Sequence, residues 1–517
     1  MNLKLRKTNQ LNDLILLLSF STVLYTFAII AILFPTISKA DDDITFNKDF
    51  GAKIERTLNK QSSKYFGIKK PLNTSAPATT GAYRTESQLA SDQVMLAKGL
   101  KAEYVTRHAG NKTDMIVLWP EHDATHLITC VEGGREDIGS GKMNPSVQRI
   151  DLRTGNVKTI LRGMNRCDGI RSTAWNTVLA TEEADDGKGY EIARPLSTTE
   201  NIVVSRDTGE ISGPTAGNII QRDMLPTMAW EGLTILDSGV IYAGDELRPG
   251  SAEADANGGS IYKFLPDNLW NGVSGLENSP LASGKVYALQ VTCREGRQQF
   301  GQGCEIGKAN WIGSIVPSNV REEANALQAT GYYRPEDLHR DQMYVAPAEF
   351  PTSVRFCWTN TGNETAKNFA EVMCAVDHEP ATATIFGDED RLVTVNRFIE
   401  GDEDFNSFDN LAFQPTTGNL YVIEDHPNGD VFACLPDGED RDIKSDGCIK
   451  IMSVKDSSAE PSGFVFSDDG KTAYVSIQHS NDAEMPSFDG YQTDDVLKIT
   501  GFKVNKEHKD EREHHHR

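Results

Sequence analysis

From about residue 91 to residue 503 the apolar residues come in short runs, broken every few positions by Gly, Asp or Asn. Alternation within the runs and turn chemistry between them predict strands rather than helices. Helical spacing is nearly absent, and the stretch around Glu322 to Ala329 is its clearest instance. A unit recurs. An acidic residue beside a Gly or small residue opens an apolar strand, then a Gly turn leads into a Tyr/Val-rich strand. Trp230-Glu231-Gly232-Leu233 leads in this way to Asp237-Ser238-Gly239-Val240-Ile241-Tyr242. Phe408-Asp409-Asn410-Leu411 leads to Gly418-Asn419-Leu420-Tyr421-Val422, and Glu460-Pro461-Ser462-Gly463-Phe464 to Gly470-Lys471-Thr472-Ala473-Tyr474-Val475. Weaker copies surround Glu132, Trp175 and Glu336. Recurrence of a four-strand unit without βαβ alternation predicts an all-β fold, a β-propeller of about six blades over residues 91–503. A pair of β-sandwiches would account for the strands but not for the repeated acidic opening.

The ends read differently. Lys4, Arg6 and Lys7 precede an apolar run from Leu14 to Phe34, and Ser38 and Ala40 are followed by Asp41, Asp42 and Asp43. This is the layout of a secretory signal cleaved after Ala40, so residues 1–40 are expected to be removed. The run is also long enough to span a bilayer, which makes an uncleaved anchor the alternative. Residues 41–90, rich in Ser, Thr, Ala, Lys and Asn, read as a linker or wrapped arm. Residues 504–517, ending in His514, His515, His516 and Arg517, read as a disordered charged tail.

Charge narrows the partners. Seventy-five acidic residues against 52 basic ones give a net charge of −23. Nothing offsets phosphate repulsion, so nucleic acid is not expected as a partner, nor is a membrane once the signal is cleaved. Dense carboxylates suit hard cations instead. The eight cysteines agree with export to a periplasmic or secreted location. Cys293 with Cys304, Cys357 with Cys374, and Cys434 with Cys448 each bracket a polar loop and are expected as disulfides. Cys130 and Cys167 are left over, either as buried thiols, as a further bridge, or with one of them binding metal.

In a propeller the inner strand of each blade lines the central channel, and its first residues crowd the channel mouth. Carboxylates gathered there cannot all stay ionised without cations. The candidates are Glu132, Glu182, Glu183, Glu231, Glu336, Asp337, Asp409 and Glu460, with Asp245 and Glu246 ending a second strand nearby. His122, His126, His339, His426 and His479 are scattered and read as surface or satisfied core residues. No motif supports Ser-His-Asp chemistry or a nucleotide fold.

Several motifs in one order carry a family resemblance. Arg334-Pro335-Glu336-Asp337 resembles the Arg-Pro-Glu-Asp motif of the PhoX-type alkaline phosphatases. Cys167-Asp168-Gly169, Thr173-Ala174-Trp175-Asn176-Thr177 and Thr181-Glu182-Glu183 resemble that family's cysteine–tryptophan–Glu-Glu signature. Gly244-Asp245-Glu246 with Ile261-Tyr262-Lys263-Phe264, and the segments opening at Asp409 and Glu460, are similar to its later blades. The resemblance runs from about Glu132 to Gln478. It implies a six-bladed enzyme hydrolysing small phosphate monoesters with iron and calcium in the channel; a monomer is expected. It also implies Cys167 as a thiolate iron ligand and Glu132, Glu183, Glu231, Glu336 and Asp409 as carboxylate ligands. Glu182, Asp245 and Asp337 are carried as further metal candidates, and Arg334 as the catalytic, phosphate-binding arginine. Phosphoryl transfer needs positive charge on the equatorial oxygens, and a guanidinium fork can hold two of them. Two departures bear on this. There is no Arg-Arg pair in the leader, and Cys130-Val131-Glu132 stands where the family commonly has Asn-His-Glu. A calcium-dependent lactonase-like propeller and a non-catalytic binding propeller are the other readings, the first needing a single cation.

Overall fold

The computed structural model describes residues 50–80, 83–139, 141–249, 258–293, 297–298, 305–383, 392–436, 447–480 and 484–504. The expected signal and the charged tail after Val504 lie outside them, as does Cys304, so the Cys293–Cys304 pairing has no counterpart among the described residues. Among the described residues no helix is long and apolar enough to cross a membrane.

Between Val94 and Thr500 the described strands form the six blades that the recurring unit predicts. Blade 1 runs inside to outside as Thr113–Trp119, His126–Val131, Pro145–Asp151 and Val157–Arg162, extended by Asn201–Ser205 and Glu210–Ser212. Blade 2 is Cys167–Ser172, Thr177–Glu182, Gly189–Ala193 and Ile219–Gln221. Blade 3 is Trp230–Ile235, Ile241–Asp245, Ile261–Pro266 and Gly284–Cys293; blade 4 is Pro335–Arg340, Val354–Asn360, Glu371–Asp377 and Val393–Glu400. Strand Gly307–Ile315 pairs with the outer strands of both, joining blades 3 and 4 into one continuous sheet. Blade 5 is Phe408–Phe413, Leu420–Glu424, Asp430–Cys434 and Cys448–Val454, edged by Val94–Leu96. Blade 6 takes Glu460–Phe466, Thr472–Gln478 and Thr493–Thr500 from the chain's end and its outer strand, Lys101–Gly110, from near its start. That exchange closes the ring, and the six inner strands meet one another in order around the channel.

The core lies between blades, where apolar faces of neighbouring sheets pack. Ile128 and Val147 of blade 1 meet Ile170 and Val178 of blade 2, and Tyr242 of blade 3 stacks on Phe356 of blade 4. One polar knot crosses the blade 3–4 interface. Asp377 Oδ2 accepts from Tyr242 at 2.8 Å, Lys263 at 2.7 Å and Trp311 at 2.8 Å. The Tyr262-Lys263-Phe264 motif is thus a packing element, with its charge neutralised inside the sheet. Residues 66–80 and 83–100 lie along blades 5 and 6. Arg84, fully buried, forks onto Asp495, and Ser75 and Ala76 bond to Asp430 and Ser453. The short helix expected near Glu322 spans Val320–Ala326.

Disulfides join Cys357 to Cys374 and Cys434 to Cys448, each pair directly opposite across neighbouring strands. A third joins Cys130 to Cys167. The second strand of blade 1 stands against the inner strand of blade 2, which brings these two cysteines together. Cys167 as a thiolate metal ligand is therefore corrected: its sulfur is bonded to Cys130.

Candidate metal centre at the channel mouth

One local device repeats in every blade. The inner strand pairs with the second strand at its first residues, then slips: three inner residues oppose two outer ones. Cys167 pairs with Glu182 and Ile170 with Ala180; Trp230 pairs with Asp245 and Leu233 with Ala243. The same slip separates Thr113 from Ile116, Pro335 from Leu338, Phe408 from Leu411, and Ser462 from Val465. A bulge of this kind re-aims the side chain that it carries. In blades 1 to 5 the residue at that point is Asp114, Asp168, Glu231, Glu336 and Asp409, all buried. The following residue faces the next inner strand, and there the acidic-Gly pattern finds its cause. A Cβ on Gly232 would stand 2.1 Å from the backbone N of Leu338, and one on Gly169 2.4 Å from the carbonyl of Glu231.

The residues just after the second strands supply a second layer. They are Glu132, Glu183, Glu246, Asp425 and His479, with Thr361 in blade 4. In blades 1 to 5 the carbonyl of the residue before the inner strand accepts from them, as in Glu183 N to Arg166 O at 2.8 Å, Glu246 N to Ala229 O at 3.0 Å and Thr361 N to Arg334 O at 3.1 Å. Two groups of carboxylate oxygens come within 4.8 Å of one another, Asp168 with Glu183 and Glu231, and Glu231 with Glu336 and Asp409. Glu231 belongs to both.

Electrostatics shows what these groups lack. Burial, followed by the charges of Asp168 and Glu336, pushes Glu231 well above the usual carboxylate range. Burial, then Asp114 and Glu183, does the same to Asp168; burial, then Asp114 and Asp425, to Asp409; burial, then Glu132, to Glu183. Asp114 and Glu336 are each pushed up to about 8, chiefly by burial. Asp168 Oδ1 is buried with no hydrogen-bond partner. An orphaned buried oxygen among mutually repelling carboxylates fits oxygen-seeking cations such as calcium. With Cys167 in a disulfide, the donors of these two groups are carboxylate oxygens.

Arg334 stands on the rim of the second group. It pairs with Glu246 at 2.5 Å, Glu336 at 3.0 Å and Asp425 at 3.5 Å, and these carboxylates outweigh burial to hold its charge firmly. Three expected metal residues stand outside the two groups and are engaged by other partners. Glu182 points away from the channel, gripped by Arg206 and by the backbone N–H groups of Asn165 and Lys188. Asp245 is held in the same way by Arg321 and Ala229 N. Asp337, next to the bulge carboxylate Glu336, accepts from Arg171 at 2.6 Å and pairs with His339 at 3.0 Å. Burial opposes its charge, but His339 and Arg171 outweigh it and hold Asp337 down to about 2. Glu132 does reach the mouth, but Arg166 and Gln478 take its two oxygens. Glu460 pairs with His479 at 2.9 Å, so that histidine belongs to the mouth and not to the surface or core.

Asp114, Asp168 and Asp425 are mouth carboxylates absent from the sequence expectation. A signal existed for Asp425: Glu424-Asp425 repeats the acid pairs Glu182-Glu183 and Asp245-Glu246 at the same strand end. Asp114 carries no such signal, since Met115 follows it where Gly or another polar residue stands elsewhere.

Residues 237–481 match the family model described as Alkaline phosphatase PhoX. The resemblance is to PhoX. Among solved structures, Pseudomonas fluorescens PhoX in complex with vanadate, a transition-state analogue, is similar at 15% identity and a TM-score of 0.55. The match covers 83% of this chain and 98% of that one. A gluconolactonase of Xanthomonas campestris matches at 11% identity and a TM-score of 0.38, over 84% of this chain and all of that one. No curated protein matches the chain in sequence. At such identities the PhoX structure speaks for the propeller fold, and the PhoX segment itself runs from the second strand of blade 3 to the second strand of blade 6, with Glu336, Asp409 and Arg334 inside it and Glu231 outside.

Proposed function

We propose that this chain is an exported, metal-dependent phosphatase that hydrolyses small phosphate monoesters at the channel mouth. The observation that carries the reading is the pair of carboxylate groups sharing Glu231, with Arg334 on their rim. Asp168, Glu183, Glu231, Glu336 and Asp409 would hold the cations. Bound there, cations supply Lewis-acid stabilisation of phosphoryl oxygens and a more acidic bound water. Arg334 presents a planar fork to the phosphate, and its carboxylate partners keep that fork oriented. The PhoX match over residues 237–481 and the PhoX-like fold support a phosphatase. Calcium suits the oxygen donors; iron, expected with a thiolate, would here meet carboxylates only. The disulfides support an oxidising compartment, periplasmic or extracellular.

Elemental analysis of the purified protein beside a p-nitrophenyl phosphate assay tests the proposal. Bound cations and turnover are expected, with Arg334→Ala lowering turnover about 100-fold or more while the protein stays folded. Absence of turnover with calcium and iron both supplied, or full activity in Arg334→Ala, would sink it.

A further inference from the structure

Arg334 has a counterpart that none of the family motifs marks. Arg166 occupies the same place in blade 2 that Arg334 occupies in blade 4, the residue before the inner strand. Both are left-handed, with φ of 57° and 58°. Lys112 and Ser407 share that position and that conformation in blades 1 and 5, so the backbone shape belongs to the blade design and the arginine is the particular feature. Each arginine reaches back to the carboxylate after the preceding blade's second strand, Arg166 to Glu132 and Arg334 to Glu246. Each also touches one of the two carboxylate groups: Arg166 lies 2.5 Å from Glu183, and Arg334 lies 3.0 Å from Glu336. The groups meet at Glu231, so the mouth has two halves related about that residue, with a guanidinium on the rim of each.

The Arg166 contacts run through Nε and Nη2; its Nη1 makes no hydrogen bond to a described residue, and neither does that of Arg334. The Arg166 side chain is 46% exposed against 16% for Arg334, so Arg166 is the more open of the two to an incoming anion. Glu132 and Glu183 fix its orientation in advance, which lowers the ordering cost of capturing a ligand.

We infer that Arg166 is a second phosphate-binding arginine, donating to the substrate phosphoryl group from the blade 2 side of the mouth, with Glu231 of blade 3 shared between its carboxylate group and that of Arg334. The inference rests on the phosphatase reading and adds to it a substrate-contacting residue from outside the segment matched to PhoX. Its role is to hold anionic oxygen, so it acts on phosphate affinity before it acts on turnover.

The test measures inorganic phosphate binding to the calcium-loaded full chain by calorimetry, with calcium content determined in the same samples. Arg166→Met and Arg166→Lys are compared with the wild type. Arg166→Met is expected to weaken phosphate binding about tenfold or more and to raise KM more than it lowers kcat, with calcium content unchanged. Arg166→Lys should recover part of the affinity, since a point charge replaces a fork. Unchanged phosphate affinity in Arg166→Met overturns the inference. So does a gain of one calcium per chain, which would make Arg166 a stand-in for a cation. Wild-type turnover with either of those results leaves the phosphatase reading standing; loaded wild-type protein that neither binds phosphate nor turns over ester removes both.

Discussion

Adjacent residues at the channel mouth do opposite work, because successive side chains of a strand face opposite ways. Glu183 faces the channel and shares the first carboxylate group, whereas Glu182 faces the blade and neutralises Arg206. Their substitutions should separate cleanly. Glu183→Gln is expected to cut calcium affinity about tenfold or more while the melting temperature of the metal-free protein holds or rises, since a repelling charge is gone. Glu182→Ala leaves Arg206 short of its buried partner and is expected to cost about 3 kcal/mol of stability, with calcium binding in the surviving folded protein retained. Calorimetry and thermal melts on the two variants decide the assignment; the reverse pattern would place Glu182 at the metals. The sequence holds both glutamates side by side and is silent on which faces in. That choice lies in the pairing of Cys167 with Glu182, a tertiary register.

At the scale of the element, the bulge is the unit of function. It lets a strand that must bury apolar side chains on both faces send one carboxylate into the channel. The glycines after Asp168 and Glu231 then allow the neighbouring inner strand to come close. Gly232→Ala would press its methyl into the backbone of Asp337 and Leu338, at 2.1–2.4 Å. The expected cost is about 1–3 kcal/mol in denaturant unfolding. Activity should fall alongside, because the clash displaces the strand that carries Glu336. Unchanged stability in this variant would mean that the inner strands of blades 3 and 4 are not held at this spacing. The recurring acidic-small-apolar opening was legible because it reflects this local steric demand. Asp114 escaped because blade 1 fills the position after its carboxylate with Met115.

At the scale of the whole molecule, the ring concentrates charge that the chain had spread over hundreds of residues. Asp114 and Glu336 are raised to about 8, and Asp168, Glu183, Glu231 and Asp409 lie well above their ordinary range. Between the unfolded carboxylate value, about 4, and those raised values, the folded state binds more protons than the unfolded one. Stability of the metal-free protein must then fall as pH rises through that window. The expected result is a melting temperature in chelator that drops between about pH 5 and pH 8. Calcium should restore it, and restore more at the higher pH, because cations take over the compensation that protons gave. A melting temperature in chelator that rises or stays level over this range would contradict the gathered cluster.

The sequence by itself determined the strand pattern, the blade count, the two disulfides Cys357–Cys374 and Cys434–Cys448, and the presence of carboxylates at the inner-strand openings. Each is written in local order: alternation, turn residues, and cysteines close along the chain. Tertiary structure alone decided which carboxylates converge. It set Glu231 between two groups, turned Glu182, Asp245 and Asp337 onto arginines, joined Cys130 to Cys167, and raised Arg166 to the level of Arg334. Those outcomes depend on which blades stand side by side and on the one-residue slip in each inner strand, and neither is encoded by spacing along the chain.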